Sequence, residues 1–259
     1  MKFVIGVDLE GLACVVGQPG KTLTESADFE FAKRQAVREI NAAATALFDM
    51  GATRVIVDDR HDGGINLHHE DIDTRCEFII GRGRGQWWQA IDETFTGILM
   101  IGFHAMDNSF GVLAHSFRSK TYQWMKVNGT EVGEIQIRAA EAGEMGVPLI
   151  FLSSDDVGIA EAKKFMPWIE TVETKKAMGW NMALSKHPKR AADEIYDGVK
   201  KAVVRISEME AFTFDTPIVF QNRFKRMDAA EAAALSSKDW KVIDPFTLER
   251  TLDRIRGWQ

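Results

Sequence analysis

Residues 2–11 read KFVIGVDLEG: an apolar run that stops at Asp8, with a second acid at Glu10 and a glycine behind it. A short continuous apolar run closed by polar residues is the pattern of a strand buried on both faces, as in a parallel sheet. The polar stretch 17–28, rich in Gly, Thr and Ser, reads as a loop. From Asp28 or Phe29 to Met50, the residues Phe31, Ala36, Ile40, Ala43, Ala44 and Leu47 recur at helical spacing, and Gly51 is placed to end that helix. Arg54–Asp58 (RVIVD) then supplies a second strand and completes a βαβ unit.

The same logic carries on down the chain. Gly97–Phe103 (GILMIGF) is a third apolar run ending at polar residues. Tyr122–Val127 followed by Asn128-Gly129 signals a hairpin with a type I′ turn. A helix is expected from Glu131 or Gly133 to Met145, a strand over Pro148–Leu152, and a further helix opening at Ser153 to Asp156. Beyond that, Pro188–Glu210 reads as a helix, 217–223 as a strand, and 228–234 and 246–256 as helices. The expected class is α/β: a mostly parallel sheet flanked by helices over 1–165, with a smaller α+β lobe over 166–259.

Bulk composition narrows the function. At 259 residues, with 45% hydrophobic and 27% charged residues, the chain has the make-up of a soluble enzyme. A net charge of -6 with scattered Lys and Arg offers no stripe for nucleic acid or an anionic membrane. No apolar stretch approaches the roughly 20 residues that span a bilayer, and no leader precedes the first strand. The two cysteines, Cys14 and Cys76, are far apart, which suits a reducing cytoplasm.

Open α/β sheets place their ligands beyond the carboxyl ends of their strands. Asp8 and Glu10 follow the first strand, His61 the second and His104 the third; His115 lies just beyond. Two carboxylates and two imidazoles at one sheet edge suit Zn²⁺ or a similar divalent ion. Asp8 and Glu10 are two residues apart, so in extended backbone both leave on one side, and Gly11 leaves room for the chain to turn away. Taken singly, each of these residues has a plainer reading as a cap, a salt-bridge partner or a satisfied structural histidine. Their concentration favours the metal site.

The runs GVDLEG (6–11), VDDRH (57–61), IGFHA (101–105), GVLAHSF (111–117), VNGTEVGE (127–134) and VPLIFLSSDD (147–156) resemble, in order and spacing, the M55 metallopeptidases, the D-aminopeptidase family. The resemblance covers about residues 1–160. It implies two Zn²⁺ per chain, bridged by Asp8 and held further by Glu10, His61, His104 and Glu134. It also implies a catalytic role for His115, as proton carrier or oxyanion partner ahead of direct nucleophile, with Ser116 beside it. The function it implies is an aminopeptidase of short peptides, those containing D-residues among them. The expected assembly is a ring-shaped homo-oligomer such as a decamer, with the C-terminal lobe contributing to the pocket and to subunit contacts. An amidohydrolase acting on a non-peptide amide would use the same chemistry. A non-catalytic binding or assembly protein on this fold would be expected to have lost a ligand, and none of the five is lost.

Two departures stand out. Gly6 replaces a serine frequent in the family, which removes a hydroxyl at the strand end. Asp58-Asp59 stands where a relative has an asparagine first, and Asp59 reads as a turn-forming residue ahead of one that orients His61. Other features read as bland: GRGRG (81–85) as an entrance loop, His68-His69 as solvated surface, Trp87-Trp88 as core or subunit contact, Asp155 as a helix cap and His187 as a helix-entry residue. The pocket walls are expected from 17–28, 62–90 and the C-terminal part.

Overall fold

The computed structural model describes residues 1–81, 83, 88, 90–256 and 258. In chain order its elements are β1 (Lys2–Val7), α1 (Phe29–Asp49), β2 (Arg54–Asp59), β3 (Glu77–Ile79), β4 (Gly97–Ile101), β5 (Tyr122–Val127), β6 (Thr130–Val132) and α2 (Glu134–Gly143). There follow β7 (Leu149–Asp155), α3 (Asp156–Phe165), β8 (Glu170–Gly179), β9 (Met182–Ser185), α4 (Pro188–Val204), β10 (Ile218–Phe224), α5 (Met227–Ser236), β11 (Lys241–Asp244) and β12 (Thr247–Leu252).

They build an α/β fold on two sheets. A seven-stranded sheet runs β3-β2-β1-β4-β7-β8-β9 and is parallel except for the β9 edge. A five-stranded antiparallel sheet runs β11-β12-β10-β5-β6. Strands after residue 165 enter both sheets. Phe3, Ile5 and Val7 pack with α1 and α4 on one face of the larger sheet; Val4, Ile98 and Met100 pack with α2 and α3 on the other. Burial on both faces is why these strands read as unbroken apolar runs.

The Asn-Gly hairpin forms as expected, with positive φ at both Asn128 (50°) and Gly129 (81°), as a type I′ turn requires. Three expectations need correction. Helix α3 begins only at Asp156, because Ser153–Asp155 extend β7 beside β8. Helix α4 ends at Val204, and Ile206–Glu208 form a separate 3-10 turn. The stretch 246–256 is no helix: Thr247–Leu252 is strand β12, paired with β10 and β11. Leu248 and Leu252 are four apart, which places two residues on one face of a helix and equally on one face of a strand. The non-local pairing with β10 decides between them.

Because β1 pairs in parallel with both β2 and β4, its last residue Val7 lies beside Asp59 and Ile101, and the three following loops emerge together. They are pressed into contact. The Gly11 amide donates to the Gly102 carbonyl at 2.7 Å, and a Cβ at Gly11 would lie 1.9 Å from the Phe103 carbonyl oxygen. Gly102 has φ +72°, and a Cβ there would meet the Asp8 carbonyl at 2.3 Å. Gly6 has its own reason: a Cβ there would lie 2.8 Å from the Trp88 ring, so the space beside it belongs to that fully buried indole. Trp87 lies outside the described residues.

Gly11→Ala is therefore expected to cost more than about 1 kcal/mol of stability, read as a lowered midpoint of denaturant unfolding. An unchanged midpoint would show that the two loops are free to separate.

Candidate metal centre

Asp8 stands between two imidazoles. Its Oδ1 is 3.0 Å from His61 Nδ1 and its Oδ2 is 3.4 Å from His104 Nε2. Glu10 Oε2 joins on the His61 side at 3.2 Å, and Glu134 Oε1 on the His104 side at 3.4 Å. His115 lies alongside, its ring stacked on His104 at 4.0 Å and its Nε2 3.9 Å from Glu134 Oε1. All six residues named from the sequence converge at the one sheet edge. Ligand atoms of Asp8, Glu10 and His104, and of His104, His115 and Glu134, form two sets close enough to hold an ion.

Each side chain is positioned by identifiable local structure. Glu134 is the first residue of α2, where the helix dipole favours a carboxylate, and its Oε1 accepts the Phe117 amide at 2.6 Å. His104 Nδ1 donates to the Ala105 carbonyl at 2.9 Å, and His115 Nδ1 to the Leu113 carbonyl at 2.9 Å, so both rings turn Nε2 into the site. The loop between them is held by Glu161, which accepts the Met106 amide at 2.9 Å, and by Asp155, which accepts the Val112 amide at 2.7 Å. Asp155 also caps α3 through Gly158, as expected. Asp59 accepts the Asn66 and Leu67 amides, and the Asn66 side chain donates to the His61 carbonyl, so the turn that Asp59 organises carries His61.

The donor set fits a cation. With Nδ1 committed to a carbonyl, neutral His104 would point a lone pair at two carboxylates, and both His104 Nε2 and Glu10 Oε2 are buried without a hydrogen-bond partner. Only a proton or a metal ion at that position resolves the repulsion. Burial would lower the His104 pKa, but the negative charge of Asp8 and Glu134, each with an oxygen 3.4 Å from Nε2, carries it well above the ordinary imidazole value. His61 is raised in the same way by Glu10 and Asp8. Burial works to raise Asp8, yet both histidines hold its carboxyl well below the usual range. His115 moves the other way: burial and the neighbouring His104 lower its pKa, which favours the neutral ring.

Lys175, on β8, is a supporting residue that the sequence did not reveal. It is 1% exposed, and its ammonium donates to the carbonyls of Glu10, Leu12 and Val15. Behind the same loop, buried Glu39 of α1 accepts the Ala13 amide at 3.0 Å. Helix and strand thus grip the segment after β1 from both sides. A lysine within ETVETKKAMG (170–179) gives no sign in the sequence that it points inward.

The site opens into a cleft of about 1470 Å³. Its walls come from 22–25, from Asp62, Gly64, 79–81 and Gly83, and from C-terminal residues including Asn222, Phe224, Trp240, Arg250 and Trp258, within the expected stretches, and also from 59–61 and from residues of 113–122, which lie outside them. Gly81 and Gly83 line it; the rest of GRGRG lies outside the described residues. His68-His69 form no metal-ligand group, and His187 caps α4 by accepting the Lys189 amide. Both cysteines are free, and burial pushes the Cys76 thiol up to about 12. Among the described residues no helix is long and apolar enough to cross a membrane.

A family model described as D-aminopeptidase, that of the M55 peptidases, matches residues 1–256. The chain belongs to this family. It is therefore a hydrolase of peptide bonds. A curated D-aminopeptidase of Bacillus subtilis (strain 168) is 26% identical over 238 residues, covering 91% of this chain and 85% of that protein. The fold matches a solved structure described as the Zn-dependent D-aminopeptidase DppA from Bacillus subtilis, a self-compartmentalizing protease. The TM-score is 0.92 at 23% identity, over 98% of this chain and 93% of that one.

Glu39 gives a pH test of the loop grip. Burial raises its pKa from 4.5 to about 7, so its neutral form stabilises the fold below about pH 4.5, and that contribution is lost as pH rises through 7. Glu39→Gln keeps a neutral acceptor. Relative to the parent, its unfolding free energy should gain on the order of 3 kcal/mol between pH 4.5 and pH 8, measured by denaturant titration at each pH. A pH-independent difference would refute the assignment.

Proposed function

We propose that this protein is a zinc-dependent aminopeptidase of short peptides, those containing D-residues among them, with two ions at the site. The observation that carries this is the Asp8 carboxylate, whose two oxygens face different imidazoles, the disposition of a bridging ligand. Glu10 and His61 would complete one ion's set, and His104 and Glu134 the other's. Zinc held there supplies Lewis acidity, polarising a carbonyl and acidifying water.

The chain's own residues do the rest. His115 presents Nε2 toward the cleft with its Nδ1 fixed on a carbonyl, and its lowered pKa favours a lone pair at Nε2 near neutrality. It takes up a proton there and returns it to the leaving amine, or as imidazolium donates to the oxyanion. Ser116, buried, accepts the Asp107 amide at 3.2 Å and so supports the loop.

A ring-shaped homo-oligomer is part of this reading, in keeping with the relative described as self-compartmentalizing. Supporting it, the β8–β9 hairpin exposes Met178, Trp180, Met182 and Leu184 along a free sheet edge, a surface that solitary soluble chains ordinarily cover.

Reconstituted protein should hold about two zinc ions per chain by elemental analysis, and Asp8→Ala should lose both. His115→Ala should abolish turnover while retaining metal; loss of metal would make His115 a ligand instead. The activity is tested with paired D- and L-aminoacyl dipeptides and their N-acetylated forms. Turnover of free-amino peptides alone is the expected result, and no turnover of any peptide by zinc-loaded protein would end the peptidase reading.

A further inference from the structure

The active cleft has a second charged end. Arg250, on β12, lines the same cleft as Asp8, Glu10 and His115. Its guanidinium lies 4.3 Å from the centroid of Trp240 and 5.8 Å from that of Phe220. Its Nε is buried without a hydrogen-bond partner. No carboxylate among the described residues stands within ion-pair distance; Asp239, also on the cleft wall, acts on it only from beyond that range. A partly buried guanidinium stacked on an indole, with its Nε shielded and unpartnered and no counter-ion among the described residues, is suited to an anion, because its donors lie in a fixed plane that matches a carboxylate.

A chain of packed aromatic rings, with the fully buried Phe220 beneath the cleft wall, connects the metal ligands to this point. Phe117, whose amide binds Glu134, packs on Trp258 at 4.7 Å; Trp258 packs on Phe220 at 5.2 Å, and Phe220 on Trp240 at 6.2 Å. On the aminopeptidase reading the free amino end of the substrate lies at the metal centre, and Arg250 suits a carboxylate elsewhere in the same cleft. A peptide carries both, at opposite termini. The cleft volume also exceeds the roughly 300–1,000 Å³ of a pocket for one small ligand.

We propose that Arg250, braced by Trp240, binds a carboxylate of the peptide substrate, its free C-terminus or an acidic side chain near it, while the amino end lies at the metal centre. This inference rests on the aminopeptidase reading above. It makes Arg250 a length- and terminus-sensing residue: peptides long enough to reach it gain affinity, and shorter ones do not.

The test compares zinc-loaded wild type with Arg250→Met and Arg250→Lys on peptides of two to five residues. Each sequence is offered as free acid, as C-terminal amide, and as an amide carrying a glutamate in its last position. For wild type, kcat/KM should favour the acid over the amide at the lengths that reach Arg250, through KM. In Arg250→Met that acid-to-amide ratio should fall about 10-fold, and Arg250→Lys should recover part of it. If the preference follows glutamate in the amidated peptide, the bound group is the side-chain carboxylate; if not, it is the terminus. A ratio the same in wild type and Arg250→Met at every length overturns the proposal while leaving the peptidase reading intact. If wild type turns over no peptide, that reading fails separately, and Arg250 is judged by calorimetric binding of the N-acetylated acid and amide peptides. Tighter binding of the acid to wild type, lost in Arg250→Met, supports the subsite, and equal binding overturns it.

Discussion

Three carboxylates and two imidazoles share the buried edge of one sheet, and that much negative charge can be kept from water only with positive charge among it. Asp8 lies at the centre of this constraint, with an imidazole on each of its oxygens. Every neighbouring group is arranged to sustain it: backbone carbonyls fix the tautomers of His104 and His115, and the amide of Phe117 and the start of α2 hold Glu134. In isolation the cluster is electrostatically unfavourable. A cation would turn that cost into binding free energy, which is why the site reads as a metal centre from its geometry as well as from its residue types.

The rest of the larger sheet can be understood as the frame for this edge. Parallel pairing of β1 with β2 and β4 brings three loops out side by side, and Gly11 and Gly102 let two of them touch where any side chain would hold them apart. Lys175 then clasps the carbonyls of the β1 loop from β8, and Glu39 takes an amide of the same loop from α1. The smaller antiparallel sheet has a different task. It carries no metal-ligand side chain, but it extends the cleft past Asn222, Trp240 and Arg250, and so governs what can lie across the site.

Legibility followed the locality of each signal. Strands β1, β2, β4 and β7 were readable because burial on both faces writes an unbroken apolar run, and α1 because one apolar stripe repeats at helical spacing. The Asn-Gly turn needs only two residues to announce itself. The residues 246–256 were misread because Leu248 and Leu252 satisfy the helix and strand repeats alike, and only pairing with β10, more than twenty residues away, chooses between them. In the site, Asp8, Glu10, His61 and His104 were marked by lying just past strand ends, whereas Glu134 and the role of His115 came only from family motifs. Lys175 and Arg250 carried no signal, since a basic residue in a polar strand looks the same whether it faces solvent or a cleft.

The sequence by itself determined the residue types of the centre, the parallel α/β core that gathers them, and the family to which the chain belongs, because each is written in short apolar runs and in motifs of a few residues. Tertiary structure alone decided that the two oxygens of Asp8 face different imidazoles, that a buried lysine grips the loop carrying Glu10, and that Arg250 lines the same cleft. Those relations join residues up to some 240 positions apart in the chain. They depend on how sheets stack and strands pair, which no local pattern of side chains encodes.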